Sequence, residues 1–318
     1  MSEPILHPLN LMPRIHLGDW VNTAVDWLTT HWAPFFDGIG NGLNSIVEHL
    51  TNLLMSGPII VIVIVLAAIA LLARGIGTAV AAAVGLLLID SFDEWAAAMQ
   101  TLALIVVAAV IAIVLAIPIG IVAAKSHIGS LVIRPVLDFM QTLPAYVYLL
   151  PALFFFGLGA AAGVVATIIF ALPPGVRLTE LGIRQVDVEM VEAGQSFGAT
   201  PSKVLFGVQI PLAMPTIMAG INQVIMLALS MVVIGGMVGA PGLGQDVTSA
   251  LTTLDIGQGA EAGVSVVFIA IYLDRVTAGI GKGSGSLRKA AAVFRGPLGR
   301  LAERRTEAAE DETTAKAA

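Results

Sequence analysis

Glu192-Ala193-Gly194-Gln195-Ser196-Phe197-Gly198, with Pro211 thirteen residues beyond Gly198, is a polar, glycine-punctuated segment set between long apolar runs. Asp187 can cap a helix that starts at Val188, its carboxylate accepting an orphan backbone N–H. Glu189 falls in the first turn, where the helix dipole favours negative charge. Gly198 suits the position just past the end of that helix. Thr200-Pro201 then restarts a helix, with threonine as N-cap and proline in the first turn. Lys203 follows, and Pro211 marks re-entry into apolar sequence. The pattern predicts a short helix, a tight glycine turn and a second short helix. Ala193 and Gly194 are small enough to let another protein approach closely. An ordinary interhelical loop is the other reading of the same residues.

The surroundings set the solvent. Of 318 residues, 57% are hydrophobic and only 12% charged, against about 25% charged in a soluble domain. So much apolar surface belongs in lipid. With no cysteine, a disulfide framework and a Cys-ligated metal are both excluded, and no metal site is expected. The first 25 residues lack a basic start followed by an apolar core, so no cleavable signal peptide is expected. No internal repeat is visible.

A helix needs about 20 residues to cross the hydrocarbon. Apolar runs at 57–73, 76–90, 96–124, 143–157, 159–175, 208–238 and 262–280 predict seven spans, or six if 143–175 is one. Alternating these spans divides the sixteen basic residues fifteen to one. Arg74, Lys125, Arg134, Arg177, Arg184, Lys203 and everything from Arg275 onward share one face, and only Arg14 lies on the other. Lys and Arg mark the cytoplasmic side, so the N-terminus is expected outside, the C-terminus inside, and the Glu192 hairpin in the cytoplasm. Asp90, Asp93, Glu94, Asp246, Asp255 and Glu261 fall in outer loops.

Residues 1–56 hold Trp20, Trp27 and Trp32, and apolar residues recur at helical spacing from Trp20 to Leu54. An extracytoplasmic amphipathic helix on the outer leaflet and a poorly ordered leader both fit. From Gly281 to Ala318 the composition predicts a disordered cytoplasmic tail. No Asp, Glu, Lys, Arg or His occurs in 96–124, 143–176 or 204–245, which argues against a proton-coupled carrier. Gln141, Thr142, Asn222, Gln223 and Ser230 are uncharged polar residues in or beside the spans. Asn222 and Gln223 fit either interhelical hydrogen bonding or a translocation path.

Glu192-Ala193-Gly194, Gly198 and the close Val208-Gln209-Ile210-Pro211 resemble the EAA loop of binding-protein-dependent ABC importer permeases. Gly194 stands where that family usually has alanine. Val208 and Ile210 stand for its usual isoleucine and leucine. The likeness extends over about residues 90–280. Asp138-Phe139-Met140-Gln141-Thr142-Leu143-Pro144-Ala145-Tyr146-Val147-Tyr148-Leu149 resembles the glycine betaine/proline betaine subfamily. So do Phe170 to Thr179, Pro215 to Gln223 and Ala228 to Ile234. Gly239-Ala240-Pro241-Gly242-Leu243-Gly244 is similar to the family's outer glycine-rich loop, although Pro241 replaces the more usual glycine.

The resemblance implies an all-α polytopic membrane protein with the type I ABC importer transmembrane fold. Its transmembrane domain would be residues 57–280, with the permease core at about 90–280 and the coupling loop at 187–211. It also implies a place in the plasma membrane of a bacterial or archaeal cell. Glu192, Ala193, Gly194, Gly198 and Pro211 would form the contact to a cytoplasmic ABC ATPase, present in two copies. That partner would carry ATP and Mg, leaving this chain no cofactor and no catalytic residue. A second copy of the permease and a separate extracytoplasmic binding protein complete the expected assembly, with no nucleic acid involved. Gly239, Pro241, Gly242 and Gly244 would form an outer gate loop. A quaternary ammonium cannot donate hydrogen bonds and is held by aromatic faces. Phe139, Gln141, Tyr146, Tyr148, Asn222 and Gln223 are therefore the candidates for the translocation path. Phe154, Phe155 and Phe156 cannot share one helix face and fit structural packing better. A permease for choline, carnitine or another small zwitterion is the nearest alternative. An ATP-independent carrier or channel, or a membrane scaffold, are alternatives of other classes.

Overall fold

A computed structural model describes residues 16–280. Helices account for nearly all of them, as a lipid solvent requires when backbone N–H and C=O groups must pair within their own segment. In chain order they are α1 (Leu17–His31), α2 (Ala33–Met55), α3 (Ile59–Arg74), α4 (Ile76–Ser91), α5 (Trp95–Lys125) and α6 (His127–Thr142). A 3₁₀ turn, Ala145–Tyr148, leads into α7 (Leu149–Phe156), α8 (Ala160–Arg184), α9 (Val188–Ser196) and α10 (Pro201–Val204). A π turn, Leu205–Gln209, joins α10 to α11 (Ile210–Gly235). A second 3₁₀ turn, α12 (Leu243–Thr253) and α13 (Ile256–Ile280) follow.

Among the described residues, four helices are long and apolar enough to cross a bilayer: Trp95–Lys125, Ala160–Arg184, Pro201–Val238 and Ile256–Gly279. They fall on the expected runs at 96–124, 159–175, 208–238 and 262–280. Two bent pairs raise the number to six if each is one span: α2 with α3 at 106°, and α6 with the segment Ala145–Phe156 at 110°. The run at 57–73 is thus half of a bent pair. The run at 76–90 is the 16-residue α4, roughly 24 Å long.

The run at 143–157 is not a straight span. Pro144 has no N–H and forces its predecessor out of helical geometry, and Leu143 is extended at ψ 135°. The chain therefore breaks there, between α6 and the short α7. Helix α6 itself, carrying Arg134, Pro135 and Asp138, was hidden from a search for apolar runs.

The bundle is built around α5, α8 and α11. Small residues let these helices approach closely, the usual device when lipid offers no hydrophobic drive. Gly175 faces Ala116 and Val224, and Gly182 faces Ala213 and Thr216. Met99, Leu104, Ile105, Ala108, Ala112, Ala171, Val224 and Ala228 are buried in one continuous core.

The N-terminal region is two helices, not one. Helix α1 ends at His31, and Pro34 in the first turn opens α2. Gly40, Leu43 and Val47 form the buried stripe of α2, which packs on α5 and α8. Ile39, Ile46 and Leu53 form an exposed apolar stripe, and Asn41, Ser45, Glu48 and Asn52 an exposed polar one. Such a three-faced helix suits a bilayer interface. Residues 1–15 and the expected tail from Gly281 lie outside the described residues.

Candidate functional site

The hairpin after α8 forms as its caps dictate. The Glu189 N–H donates to Asp187 Oδ1 at 3.0 Å. At the other end, the Gly198 N–H donates to Gln195 O (2.8 Å) and the Ala199 N–H to Gly194 O (3.2 Å). That pair of bonds is a Schellman closure, which needs a left-handed residue at Gly198, and its φ is +76°. Thr200 occupies the N-cap of α10 without a side-chain capping bond. The second short helix does not stand alone. Residues Pro201–Val238 run as one 38-residue helical stretch, and the π turn lies just before Pro211, whose ring crowds the carbonyl four residues earlier.

No residue of α9 is buried. Glu192, Ala193 and Gly198 are exposed, and Gly194 rests against Val204 and Val208. Val188, Met190 and Phe197 project apolar surface, Phe197 at 91% exposure. A short helix that exposes Val188 and Met190 in its first turn and Phe197 just past its end is a surface shaped to be covered.

Behind the hairpin lies an ionic cluster missed by sequence reasoning. Glu180 is only 4% exposed. One carboxylate oxygen accepts from Ser130 Oγ, Arg134 Nη2 and Arg184 Nε, each at 2.9 Å. Arg184 also donates to Ala123 O at 2.8 Å. Lys125 donates to the buried Gln209 side chain beside the π turn, and Arg177 pairs with Asp138. The glutamate four residues before Arg184 was the available signal. Its partners on α6 lie 46 and 50 residues away, beyond any local pattern.

The candidate path residues separate into two groups. Phe139 and Tyr146 are exposed at 64% and 56%, and Gln141 and Gln223 are exposed too. Tyr148 instead turns inward, donating to Met140 O and meeting Phe170 edge-on at 5.9 Å. Asn222 Oδ1 is buried with no hydrogen-bond partner. On α11 the exposed residues Pro215, Ala219, Gln223, Met226 and Ser230 repeat at helical spacing and form one uncharged face. Phe155 and Phe156 pack against Phe36 of α2.

At the other end of α11, Gly239, Pro241, Gly242 and Gly244 lie in or beside the turn between α11 and α12. Gly242 has φ +110°, and a Cβ there would sit 2.4 Å from Thr101 Oγ1. The Leu243 N–H donates to that same oxygen at 2.8 Å, and Thr101 donates to Ala97 O at 2.8 Å. Gly236 and Gly244 touch backbone to backbone. Next to this knot Glu94 is nearly buried. Burial pushes its carboxyl up to about 7, and Asp246, Glu261 and Asp93 add to the push. Burial also raises Asp246, while its hydrogen bond to Glu94 acts the other way.

A capped hairpin on an all-helical bundle with bilayer-length apolar helices defines a class. Residues 116–278 match the family of binding-protein-dependent transport system inner membrane components, and this chain belongs to it. Its relatives narrow the likeness. It is 50% identical over 272 residues to the glycine betaine transport system permease protein OpuAB of Bacillus subtilis, covering 86% of this chain and 96% of that one. It is 46% identical over 303 residues to the glycine betaine/proline betaine transport system permease protein ProW of Escherichia coli, covering 94% and 86%. The glycine betaine/carnitine transport permease protein GbuB of Listeria monocytogenes is 47% identical over 275 residues, covering 85% and 97%. In fold, the chain is similar to an inward-facing structure of the MetNI methionine ABC transporter. The TM-score is 0.51 at 22% identity, covering 61% of this chain and 92% of the other.

Proposed function

We propose that this chain is the permease subunit of an ATP-driven importer for glycine betaine, proline betaine or a related quaternary ammonium solute. The observation that carries the reading is the exposed α9, capped at both ends and joined by the Gly198 turn to the helical stretch Pro201–Val238. A partner ATPase, holding ATP and Mg in two copies, grips Glu192, Ala193, Gly194 and Gly198. Its closure moves α11 from the end marked by Pro211. Two copies of the permease enclose the path, each contributing the uncharged α11 face with Gln223. Asn222 Oδ1 supplies an unpaired acceptor beside it. Phe139 and Tyr146 offer the π surface a quaternary ammonium requires, and Gln141 is exposed nearby on the same bent pair. Tyr148 shapes that wall from behind. The loop with Gly239, Pro241, Gly242 and Gly244 closes the outer mouth, where a separate binding protein delivers the solute.

The test is reconstitution with the co-purifying ATPase and receptor, followed by uptake of radiolabelled betaines. Glu192→Lys and Gly198→Asp should each abolish uptake while membrane insertion stays at the parent level. Normal uptake by either variant removes the coupling role. Uptake by the permease alone, without ATPase, makes it a carrier or channel instead.

A further inference from the structure

Gly157 (φ +72°) and Gly159 (φ +131°) separate α7 from α8, so α8 begins at a joint. Gly159 occupies its N-cap position and has no side chain with which to hold the orphan N–H groups of the first turn. Water is scarce at the edge of a bilayer core, and an unpaired N–H there is costly. The Ala161 N–H finds its acceptor in another part of the chain: Asn44 Oδ1 on α2, at 2.9 Å and 117 residues away.

The rest of α2 is shaped to bring Asn44 there. Phe36 stacks on Phe155 (centroids 4.5 Å apart, planes at 23°) and meets Phe156 edge-on at 5.8 Å. Gly40 is buried, and a Cβ there would lie 3.5 Å from Phe156 and 4.0 Å from Ala161. The other side of the joint is tied to the outer loop. The Gly159 N–H donates to Val238 O at 3.1 Å, and Ala240 packs on Gly163 and Gly235.

We infer that α2 is a positioning element for the outer gate, with Asn44 capping α8 in trans and Phe36 and Gly40 seating that cap. Helix α2 restrains the Gly157–Gly159 joint, and the outer end of α8 swings only when the Asn44–Ala161 bond yields. This rests on the importer reading above. The segment that matches the family begins at residue 116, so α2 lies outside it.

The chain has no cysteine, so Leu158→Cys places a single thiol at the joint, where Leu158 is 76% exposed. The assembled transporter, with ATPase and receptor in proteoliposomes, is assayed for labelling by a membrane-impermeant maleimide and for receptor-independent ATP hydrolysis. Asn44→Leu keeps the volume and removes the acceptor; it should raise both rates several-fold. Asn44→Asp keeps an acceptor and adds a charge that suits a helix N-terminus; it should hold both near the parent. Parent rates in an assembled Asn44→Leu complex overturn the role of α2. If that variant does not assemble, Phe36→Leu decides: faster labelling supports the restraint, and an unchanged rate overturns it. A Leu158→Cys parent whose labelling ignores ATP and receptor sinks the importer reading itself. A responsive parent with an Asn44→Leu variant that labels and hydrolyses at the parent rates overturns only the restraint.

Discussion

The two ends of the bundle are held by opposite chemistry. At the end that carries the hairpin, positive and negative groups meet in one cluster, where Glu180 gathers Ser130, Arg134 and Arg184. At the opposite end, carboxyls face carboxyls around Glu94, and shape holds what charge does not: Gly242 against Thr101, Gly236 against Gly244. Ion pairs satisfied on every side lock an arrangement, because breaking them strands a charge. Close packing around glycine beside crowded carboxyls locks more lightly. The contrast places the stiff anchorage beside the hairpin and the yielding contacts at the mouth.

Breaking the stiff end should have the largest effect. Glu180→Ala leaves two guanidinium groups and a serine without their acceptor and should cost about 3 kcal/mol. Unfolding in detergent checks it, with Arg134→Ala as the control. Because the Arg134 side chain is 59% exposed, its loss should cost about 1 kcal/mol or less. A Glu180→Ala variant as stable as the parent would dissolve the contrast.

Next comes packing at the mouth. Gly242→Ala drives a methyl into Thr101 at a left-handed φ and should cost about 2 kcal/mol. Gly198→Ala is the sharpening partner. It has the same backbone sign but open space around its Cβ, so only the backbone term of about 1 kcal/mol remains. Equal losses in thermal melts would mean that packing at the mouth contributes nothing.

The smallest effect is the proton. With its carboxyl raised to about 7, Glu94 binds its proton more tightly in the folded chain than in the unfolded one. Its contribution to stability is complete below the ordinary carboxylate range and is lost as pH rises through about 7. The melting temperature should therefore fall from the ordinary carboxylate range up to about pH 7 and level off above it. Glu94→Gln, which is neutral throughout, should flatten that slope. An unchanged slope in the variant assigns the dependence elsewhere.

How much of this was legible in the sequence follows from range. The spans α5, α8, α11 and α13 announce themselves as long apolar runs, and α9 shows both ends through Asp187 and Gly198, whose bonds reach only a few residues. Helix α6 escaped because Arg134, Pro135 and Asp138 interrupt its apolar character. The break at Pro144 was readable as chemistry, but its 110° consequence depends on packing. The clusters at Glu180, Thr101 and Asn44 join residues 46 to 142 positions apart, and no single sequence reveals which distant groups will meet. Gly242 was legible only as part of a glycine-rich loop; its tight seat on Thr101 exists only in three dimensions.

One stretch, Pro201–Val238, carries the chain from the hairpin to the outer knot without a break in its helix. At 38 residues it is roughly 57 Å long. A tilt of about 10° at its foot would sweep its tip through roughly 10 Å. Geometry alone thus makes this rod an amplifier: small strokes among hydrogen-bonded charges at the base become wide excursions at the summit.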